Sequence, residues 1–154
     1  GQVNVMDSTS NNFYLTGVQL EADTSASDFE FLPYDVNLQR CQRYFEKTYD
    51  LNVSPGANTP TGLRRINGST DGSSNMVYQE AFAVTKRAAP TQTFYQNNGT
   101  SGSWKVYASG LSTTKSNNNW DINQTRVSAY FTFGSAINFA SGYVEGHWTA
   151  DAEL

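Results

Sequence analysis

Cysteine and histidine are almost missing from this 154-residue sequence, which contains one of each, Cys41 and His147. One cysteine cannot form an intrachain disulfide, and one cysteine with one histidine supplies too few ligands for a zinc cluster. A histidine-based catalytic triad would have to use His147, and no G-x-S-x-G segment is present to hold a nucleophilic serine. The sequence therefore predicts no metal, no cofactor and no enzyme activity. Some pair among the fourteen acidic residues leaves glycoside cleavage open as an alternative.

Charge is also scarce, because Asp, Glu, Lys and Arg make up 16% of the residues and the formal net charge is −4. The ten basic residues are scattered, and the closest groups are two adjacent pairs, Arg64 with Arg65 and Lys86 with Arg87. Nucleic acids and anionic membranes are both bound through clustered basic side chains. No apolar run approaches the roughly 20 residues of a membrane-spanning helix. The sequence therefore predicts neither a nucleic-acid partner nor membrane insertion.

Aromatic and small polar residues are abundant, with aromatics at 14% of the chain. Aromatic and β-branched residues favour strands, whereas Asn and Gly favour the turns between them. Strand-like segments recur between Asn- and Gly-rich clusters, at residues 44–49, 63–66, 77–86, 92–95, 104–108, 125–133 and 143–150. This spacing predicts an all-β fold, a jelly-roll-like β-sandwich, with one short helix near residues 35–43.

The helix prediction depends on a capping residue and an apolar stripe. Asp35 is a candidate N-cap, and Leu38, Cys41 and Phe45 recur at helical spacing. A small side chain on such a stripe is expected to pack in the core. The pattern therefore predicts that Cys41 is buried.

Alternation along the later strand candidates predicts which side chains face the core. The predicted inward set is Trp104, Val106, Ala108, Val127, Ala129, Phe131, Phe133, Val144, Gly146, Trp148 and Ala150. The predicted outward set is Arg126, Ser128, Tyr130, Thr132, Tyr143, Glu145 and His147. Glu145 and His147 are expected to form a solvated surface pair rather than a catalytic one.

Surface recognition is the chemistry that this composition favours, since sugars stack on aromatic rings and their hydroxyls bond Asn and Asp side chains. The segment at residues 117–121 (NNNWD) places one Trp in a polar loop. We therefore predict a glycan site at Trp120 with Asn119 and Asp121. A Trp120 that folds back as a lid on the core is the alternative.

Three outward tyrosines, Tyr95, Tyr107 and Tyr130, are further candidate glycan contacts, and each is alternatively a lone surface or interface aromatic. Residues 67–72 (NGSTDG) loosely echo a calcium-binding loop. Tyr78 stands where the bidentate Glu is required, which favours a polar turn instead.

Four segments together resemble the C-terminal region of bacteriophage and prophage tail-fibre receptor-binding proteins. They are residues 13–21 (FYLTGVQLE), 41–45 (CQRYF), 87–91 (RAAPT) and 146–154 (GHWTADAEL). The resemblance implies a homotrimeric, non-catalytic β-sandwich at the fibre tip that binds a bacterial surface polysaccharide and is joined to an upstream fibre shaft. It also implies folding in the host bacterial cytoplasm and location in the virion.

The resemblance further implies a division of the chain at residue 34. Residues 13–21 predict a strand with a bulge at Gly17, and the resemblance makes residues 1–34 a remnant or collar of a preceding domain. Residues 35–154 are then the tip sandwich. Two other functions stay open: a polysaccharide-modifying tip enzyme (a depolymerase or esterase) and a purely structural trimerisation module.

Overall fold

The structure is a computed structural model that describes residues 14–22, 24–25, 27–67, 75–108, 111–116, 118–119, 121–132 and 143–153. The chain divides into two compact units, Gly1–Tyr34 and Asp35–Leu154. In the described part of the chain, the helix α1 (Tyr34–Gln42) is followed by nine strands. They are β1 (Phe45–Lys47), β2 (Arg64–Asn67), β3 (Asn75–Ala81), β4 (Thr91–Tyr95), β5 (Ser103–Ala108), β6 (Leu111–Ser116), β7 (Asn118–Asn119), β8 (Arg126–Thr132) and β9 (Tyr143–Asp151).

The long last strand, β9, is the spine of the larger sheet. It pairs with β2 and β5 near its start and with β1 and β4 near its end, and every pairing is antiparallel. β5 also pairs with β6. β9 is therefore flanked on both sides along its length, which removes the exposed backbone groups of an edge strand.

The smaller sheet contains β3, β8 and β7, and it faces the larger sheet across one aromatic core. The Trp104 ring of the large sheet stacks on Phe131 of the small sheet at 5.5 Å between ring centroids, and it contacts Tyr78 at 4.9 Å. The indole Nε1–H of Trp148 donates to the Tyr78 hydroxyl at 3.1 Å. Two antiparallel sheets packed in this way, with one short helix, confirm the predicted all-β sandwich.

One glycine permits the closest packing inside this core. Trp104 lies over Gly146, where an added Cβ would come within 2.2 Å of Trp104 Cδ1. The Trp104 indole N–H also donates to the His147 carbonyl at 2.8 Å. Gly146 therefore interrupts the apolar face of β9 because the Trp104 ring occupies the space that a side chain there would need.

Polar side chains close one edge of the sandwich. Glu80, of the small sheet, accepts bonds from Arg64 Nε at 2.8 and 2.9 Å, from Trp148 Nε1 at 3.0 Å and from the Tyr78 hydroxyl. Burial, together with the hydrogen bond to Glu80, raises the pKa of the Tyr78 hydroxyl. The Glu80 carboxylate thus receives hydrogen bonds from three side chains, which offset the cost of placing its charge beside the core.

The Gln92 side chain of β4 bridges the two sheets by hydrogen bonding to two backbone groups of β8. Its Oε1 accepts the Ser128 backbone N–H at 3.1 Å, and its Nε2 donates to the Arg126 carbonyl at 3.4 Å. Backbone groups of β8 are therefore satisfied by an amide side chain with the same donor and acceptor geometry as a peptide unit.

A buried lysine fixes the end of the helix. Lys86 Nζ donates to the Gln42 carbonyl at 2.6 Å and forms an ion pair with Glu46 Oε2 at 2.5 Å. It also lies 4.5 Å from the Phe82 ring centroid. The last turn of α1 thus receives the cation that its exposed carbonyl groups favour.

The prediction that Cys41 is buried is wrong. Cys41 is exposed, and α1 has no buried residue. Asp35 lies inside the first turn rather than before it, and Phe45 belongs to β1. The predicted stripe therefore keeps only Leu38 and Cys41 within the helix, too little apolar surface to fix it against a core.

Other sequence-based expectations also need correction. Residues 14–21 contain no strand, and Gly17 has φ +71°, a left-handed conformation that a strand does not adopt. β7 formed inside the segment 117–121 that the sequence predicted to be a polar loop, because β8 supplies its backbone partner. β6 is a further strand that the sequence did not predict, and it pairs with β5.

Three residues of the predicted outward set, Ser128, Glu145 and His147, are buried. His147 and Glu145 are covered by other parts of the chain, as described below. The Ser128 hydroxyl has no hydrogen-bond partner within the described residues. Phe133 lies outside the described residues.

Candidate ligand-binding face of the large sheet

The candidate site lies on the outer face of the large sheet, which points away from the core. Antiparallel register places Lys105 opposite Glu145 and Tyr107 opposite Tyr143, while Arg65 lies opposite Glu145 from the other side. Directly opposite side chains on one face lie about 5 Å apart at Cβ. We call these five residues the open end of the outer face.

Two tyrosine rings form the apolar part of the open end. Tyr107 and Tyr143 have ring centroids 4.7 Å apart and an angle of 34° between the ring planes. Both side chains are half-buried. Burial raises the pKa of the Tyr107 hydroxyl, and the nearby Glu145 charge adds to the effect. The hydroxyl therefore stays protonated and can both donate and accept a hydrogen bond.

Arg65 is held between a carboxylate and a ring. Its Nε and Nη2 donate to Glu145 Oε2 at 3.0 and 2.7 Å, and its guanidinium carbon lies 4.0 Å from the Tyr143 ring centroid. The hydrogen bonds to Glu145 raise the pKa of Arg65. The Glu145 side chain is 6% exposed and that of Arg65 is 52% exposed. A buried carboxylate thus orients a cation that reaches solvent.

The second cation of the open end is Lys105. Its Nζ lies 5.9 Å from the Tyr107 ring centroid, at the outer limit of a cation–π contact. Within the described residues, Lys105 takes part in no ion pair. The open end therefore combines stacking rings with two cations and one shielded carboxylate.

The other half of the same face is covered by residues 48–59, and we call it the covered end. Here the His147 ring is fully buried and stacks on Tyr49, with 3.9 Å between centroids. His147 Nε2 lies 3.0 Å from the Thr59 carbonyl, and Nδ1 lies 3.1 Å from the Thr48 hydroxyl. Since a carbonyl only accepts, Nε2 carries the proton and Nδ1 accepts from Thr48.

The covered end is closed further by bonds within its own loop. The Tyr49 hydroxyl accepts the Gly56 backbone N–H at 3.1 Å, and Tyr95 contacts the Tyr49 ring edge-on at 6.1 Å. Burial lowers the pKa of His147. A neutral histidine with both ring nitrogens engaged is a structural residue and not a catalytic base.

Of the six predicted site residues, the three tyrosines do not come together at one place. Tyr107 lies at the open end, and Tyr95 lies on the same face beside the covered end. Tyr130 is half-buried on the small sheet, opposite Val77 and Asn118. These tyrosines therefore belong to outer faces of two different sheets.

One residue of the predicted loop site also belongs to the small sheet. Asn119 pairs with Ala129 in β7, and Trp120 lies outside the described residues. Asp121 has φ 55° and forms an ion pair with Arg126, whose Nε donates to Asp121 Oδ2 at 3.1 Å. This ion pair engages Asp121 Oδ2 within the chain.

The sequence reasoning missed Arg65, Lys105, Tyr143 and Glu145 as members of a site. Two signals were visible: Tyr143 and Glu145 share a predicted outward face, and Arg65 belongs to one of two basic pairs. What joins them is register between strands far apart in the sequence.

A depression within the first unit is lined by Gln19, Glu21 and Ser27, among others. Glu21 accepts the Ser27 backbone N–H at 2.8 Å, and it also bonds the Ser27 hydroxyl and the Gln19 amide. These bonds lower the pKa of the Glu21 carboxyl group, with the Ser27 hydroxyl as the largest cause. Glu21 therefore serves to close the loop between residues 21 and 27.

The described part of the chain offers neither a metal site nor a membrane-spanning helix. It holds no group of three or more side chains able to ligate a metal ion, and residues 68–72 of the calcium-like segment lie outside it. Its one helix is too short to cross a bilayer. Comparison of the chain with protein-family models, with curated proteins and with solved structures finds no match.

Proposed function

We propose that this chain is the receptor-binding module at the tip of a bacteriophage tail fibre, and that it binds a bacterial surface glycan without altering it chemically. The observation that carries the proposal is the open end, where the Tyr107 and Tyr143 rings lie beside Arg65 and Glu145. Binding sites for small ligands combine aromatic surface with a few placed polar groups. A sugar offers the matching chemistry, an apolar C–H face with hydroxyls at its rim.

The position of Glu145 supports binding rather than hydrolysis. Most glycosidases place two carboxyl groups on either side of the bond they cleave, and one of them must be free to donate a proton. Among the described residues of the open end, Glu145 is the only carboxylate, and it is buried against Arg65. Its role is to orient the arginine.

The exposed apolar side chains of the first unit support assembly into a homotrimer joined to an upstream fibre shaft in the virion. Large apolar residues there are exposed, and Leu20 reaches 98%. The others are Tyr14, Leu15, Val18, Phe29, Phe31 and Tyr34. Apolar surface on this scale usually marks an interface with another chain.

Trp120 with Asn119 and Asp121 remains a separate prediction for the same ligand. Because Asn119 pairs with the small sheet and not with the large one, this prediction is tested independently of the open end. Loss of glycan binding in Trp120→Ala with parental melting would assign a contact there, and unchanged binding would remove Trp120 from the site.

The test of the proposed function is Tyr143→Ala, which removes one ring of the open end. Truncating an aromatic binding hot spot commonly costs about 2 kcal/mol, roughly thirtyfold in affinity. We expect that loss in binding to host cells or to their purified surface polysaccharide, measured by surface plasmon resonance. The matched control is Tyr44→Ala, another partly exposed tyrosine, which precedes β1 near the opposite end of β9.

Three results would overturn the proposal in different ways. Equal binding by Tyr143→Ala and Tyr44→Ala would remove the open end as the site. Release of reducing ends or acetate from the polysaccharide would identify a depolymerase or an esterase. A trimer that binds no host strain in a panel of surface-polysaccharide mutants would identify a structural module.

A further inference from the structure

We infer that the open end selects acidic saccharides, binding a sugar carboxylate or phosphate on Arg65 and Lys105 while the sugar ring lies on Tyr107 or Tyr143. This inference rests on the proposed function and adds the chemical class of the glycan. A neutral glycan would satisfy the rings equally well, so the argument depends on the charges around them.

The charge of the open end opposes that of the whole chain. The chain carries a formal net charge of −4. At the open end, Arg65 and Lys105 supply two positive charges against the one negative charge of Glu145, which leaves a net charge of +1. An acidic protein that concentrates cations beside its aromatic surface attracts an anion to that place in preference to the rest of its surface.

Arg65 has hydrogen-bonding capacity left after it binds Glu145. A guanidinium carries five N–H donors, and those at Nε and Nη2 contact Glu145 Oε2. In the described part of the chain, no hydrogen bond engages Nη1. Since 52% of the Arg65 side chain is exposed, the group is held in place on one side and open to a ligand on the other. A planar guanidinium matches the paired oxygens of a carboxylate or a phosphate.

Lys105 supplies the second charge on the opposite side of β9. It faces Glu145 from β5, whereas Arg65 faces Glu145 from β2, so the two cations flank one buried carboxylate. Tyr107 and Tyr143 come one step further along the same face, two residues beyond Lys105 and Glu145. A sugar ring stacked on the tyrosines therefore has its substituents within a few ångströms of both cations.

Glu145 orients the Arg65 guanidinium, and its own negative charge lowers the affinity of the site for an anion. Replacing Arg65 would leave Glu145 buried without its partner, which destabilises a fold. Lys105 is therefore the better residue to vary, because its Nζ has only the weak contact with Tyr107 in the described part of the chain.

The experiment uses the full chain and two matched pairs of probes. The carboxylate pair is oligogalacturonate and the same oligomer with its carboxyl groups reduced to alcohols. The phosphate pair is mannose 6-phosphate and mannose. Each is titrated calorimetrically against the parent, Lys105→Gln and Arg43→Gln. Arg43 is an exposed cation just after α1 and provides the charge-matched control.

We expect at least one acidic probe to bind more tightly than its neutral counterpart, with an affinity that falls as salt rises. Lys105→Gln should weaken that binding about tenfold, whereas Arg43→Gln leaves it unchanged. The favoured pair tells a uronic-acid glycan from a phosphorylated one. If Lys105→Gln melts at the temperature of the parent, the loss of affinity reflects a lost contact with the probe and not a loss of folding.

Failure of the inference is distinguishable from failure of the proposed function. If neutral and acidic probes bind equally, and Tyr143→Ala abolishes both, the glycan site stands and the acidic selectivity is wrong. Equal losses in Lys105→Gln and Arg43→Gln would reduce the effect to net charge and also overturn the inference. If no probe of either kind binds, both the inference and a glycan site at the open end are contradicted.

Discussion

The open end and the covered end share one strand and one face, yet they present opposite chemistry. Tyr143, Glu145 and His147 follow one another at alternate positions of β9, and along that line the side chains pass from half-buried to fully buried. The difference comes from what lies above them. Residues 48–59 cover His147, whereas a single arginine and two tyrosine rings cover Glu145.

This contrast teaches how a uniform sheet face becomes a site. Alternation decides which side of a strand a residue occupies, but a separate segment decides whether that side meets water. At the covered end, the loop satisfies both nitrogens of His147, so nothing remains for a ligand. At the open end, donors and ring faces remain accessible. We expect changes at the covered end to reduce stability and changes at the open end to reduce binding.

Tyr49→Ala tests the covered end and carries the largest expected effect on stability. Tyr49 is 3% exposed, stacks on His147 and holds Gly56 through its hydroxyl. Truncating a buried aromatic side chain costs about 3 kcal/mol or more. We expect a loss of that size in urea denaturation, with glycan affinity unchanged at temperatures where the variant is folded.

Tyr143→Ala is the matched comparison at the open end. Its half-buried ring predicts a smaller loss of stability than in Tyr49→Ala, combined with the loss of binding described above. If both variants lose stability alone, or both lose binding alone, the division of the face into two ends is wrong.

The local parts of this architecture were predictable from the sequence. Period-two alternation identified Val127, Phe131 and Trp148 as core residues, because each decision needs only the neighbours in one strand. The sequence also shows a glycine on the apolar face of β9, but it does not show why a side chain is absent there. The tryptophan that fills the space belongs to another strand.

The site required information that alternation does not contain. Arg65 and Glu145 meet through strands separated by 80 residues, and His147 is bonded by Thr48 across 99 residues. Neither the register of such strands nor the path of a covering loop follows from composition. The sequence therefore identified Tyr107 as an outward aromatic without identifying the cations beside it.

The pH dependence of stability gives a second, smaller test of the covered end. Burial lowers the pKa of His147 in the folded chain, whereas in the unfolded chain it stays near 6.5. Below that pH, the unfolded chain binds a proton that the folded chain resists. The contribution of His147 to stability is therefore complete above about pH 7 and is lost as the pH falls.

His147→Gln is the variant that isolates this titration. Glutamine does not titrate, and its amide can still donate toward Thr59. Tyr49 stacks on His147, Tyr95 lies opposite it in the strand register, and the Arg64 charge lowers its pKa; the variant retains all three. We expect urea midpoints measured from pH 8 to pH 5 to fall less steeply for His147→Gln than for the parent. Equal slopes would show that His147 titrates normally and is not closed off by its loop.

Cys41→Ser carries the smallest expected effect and supplies the baseline for both ends. Cys41 lies on α1, outside the open and covered ends, and its side chain is exposed. Substitutions at exposed positions usually change stability by less than about 0.5 kcal/mol. We expect parental melting and parental glycan binding. As the only cysteine of the chain, Cys41 should also react with a maleimide in native buffer as fast as in urea. Slow native labelling would mean that a further chain covers α1 in solution, and the exposed surface of the helix would then belong to an interface.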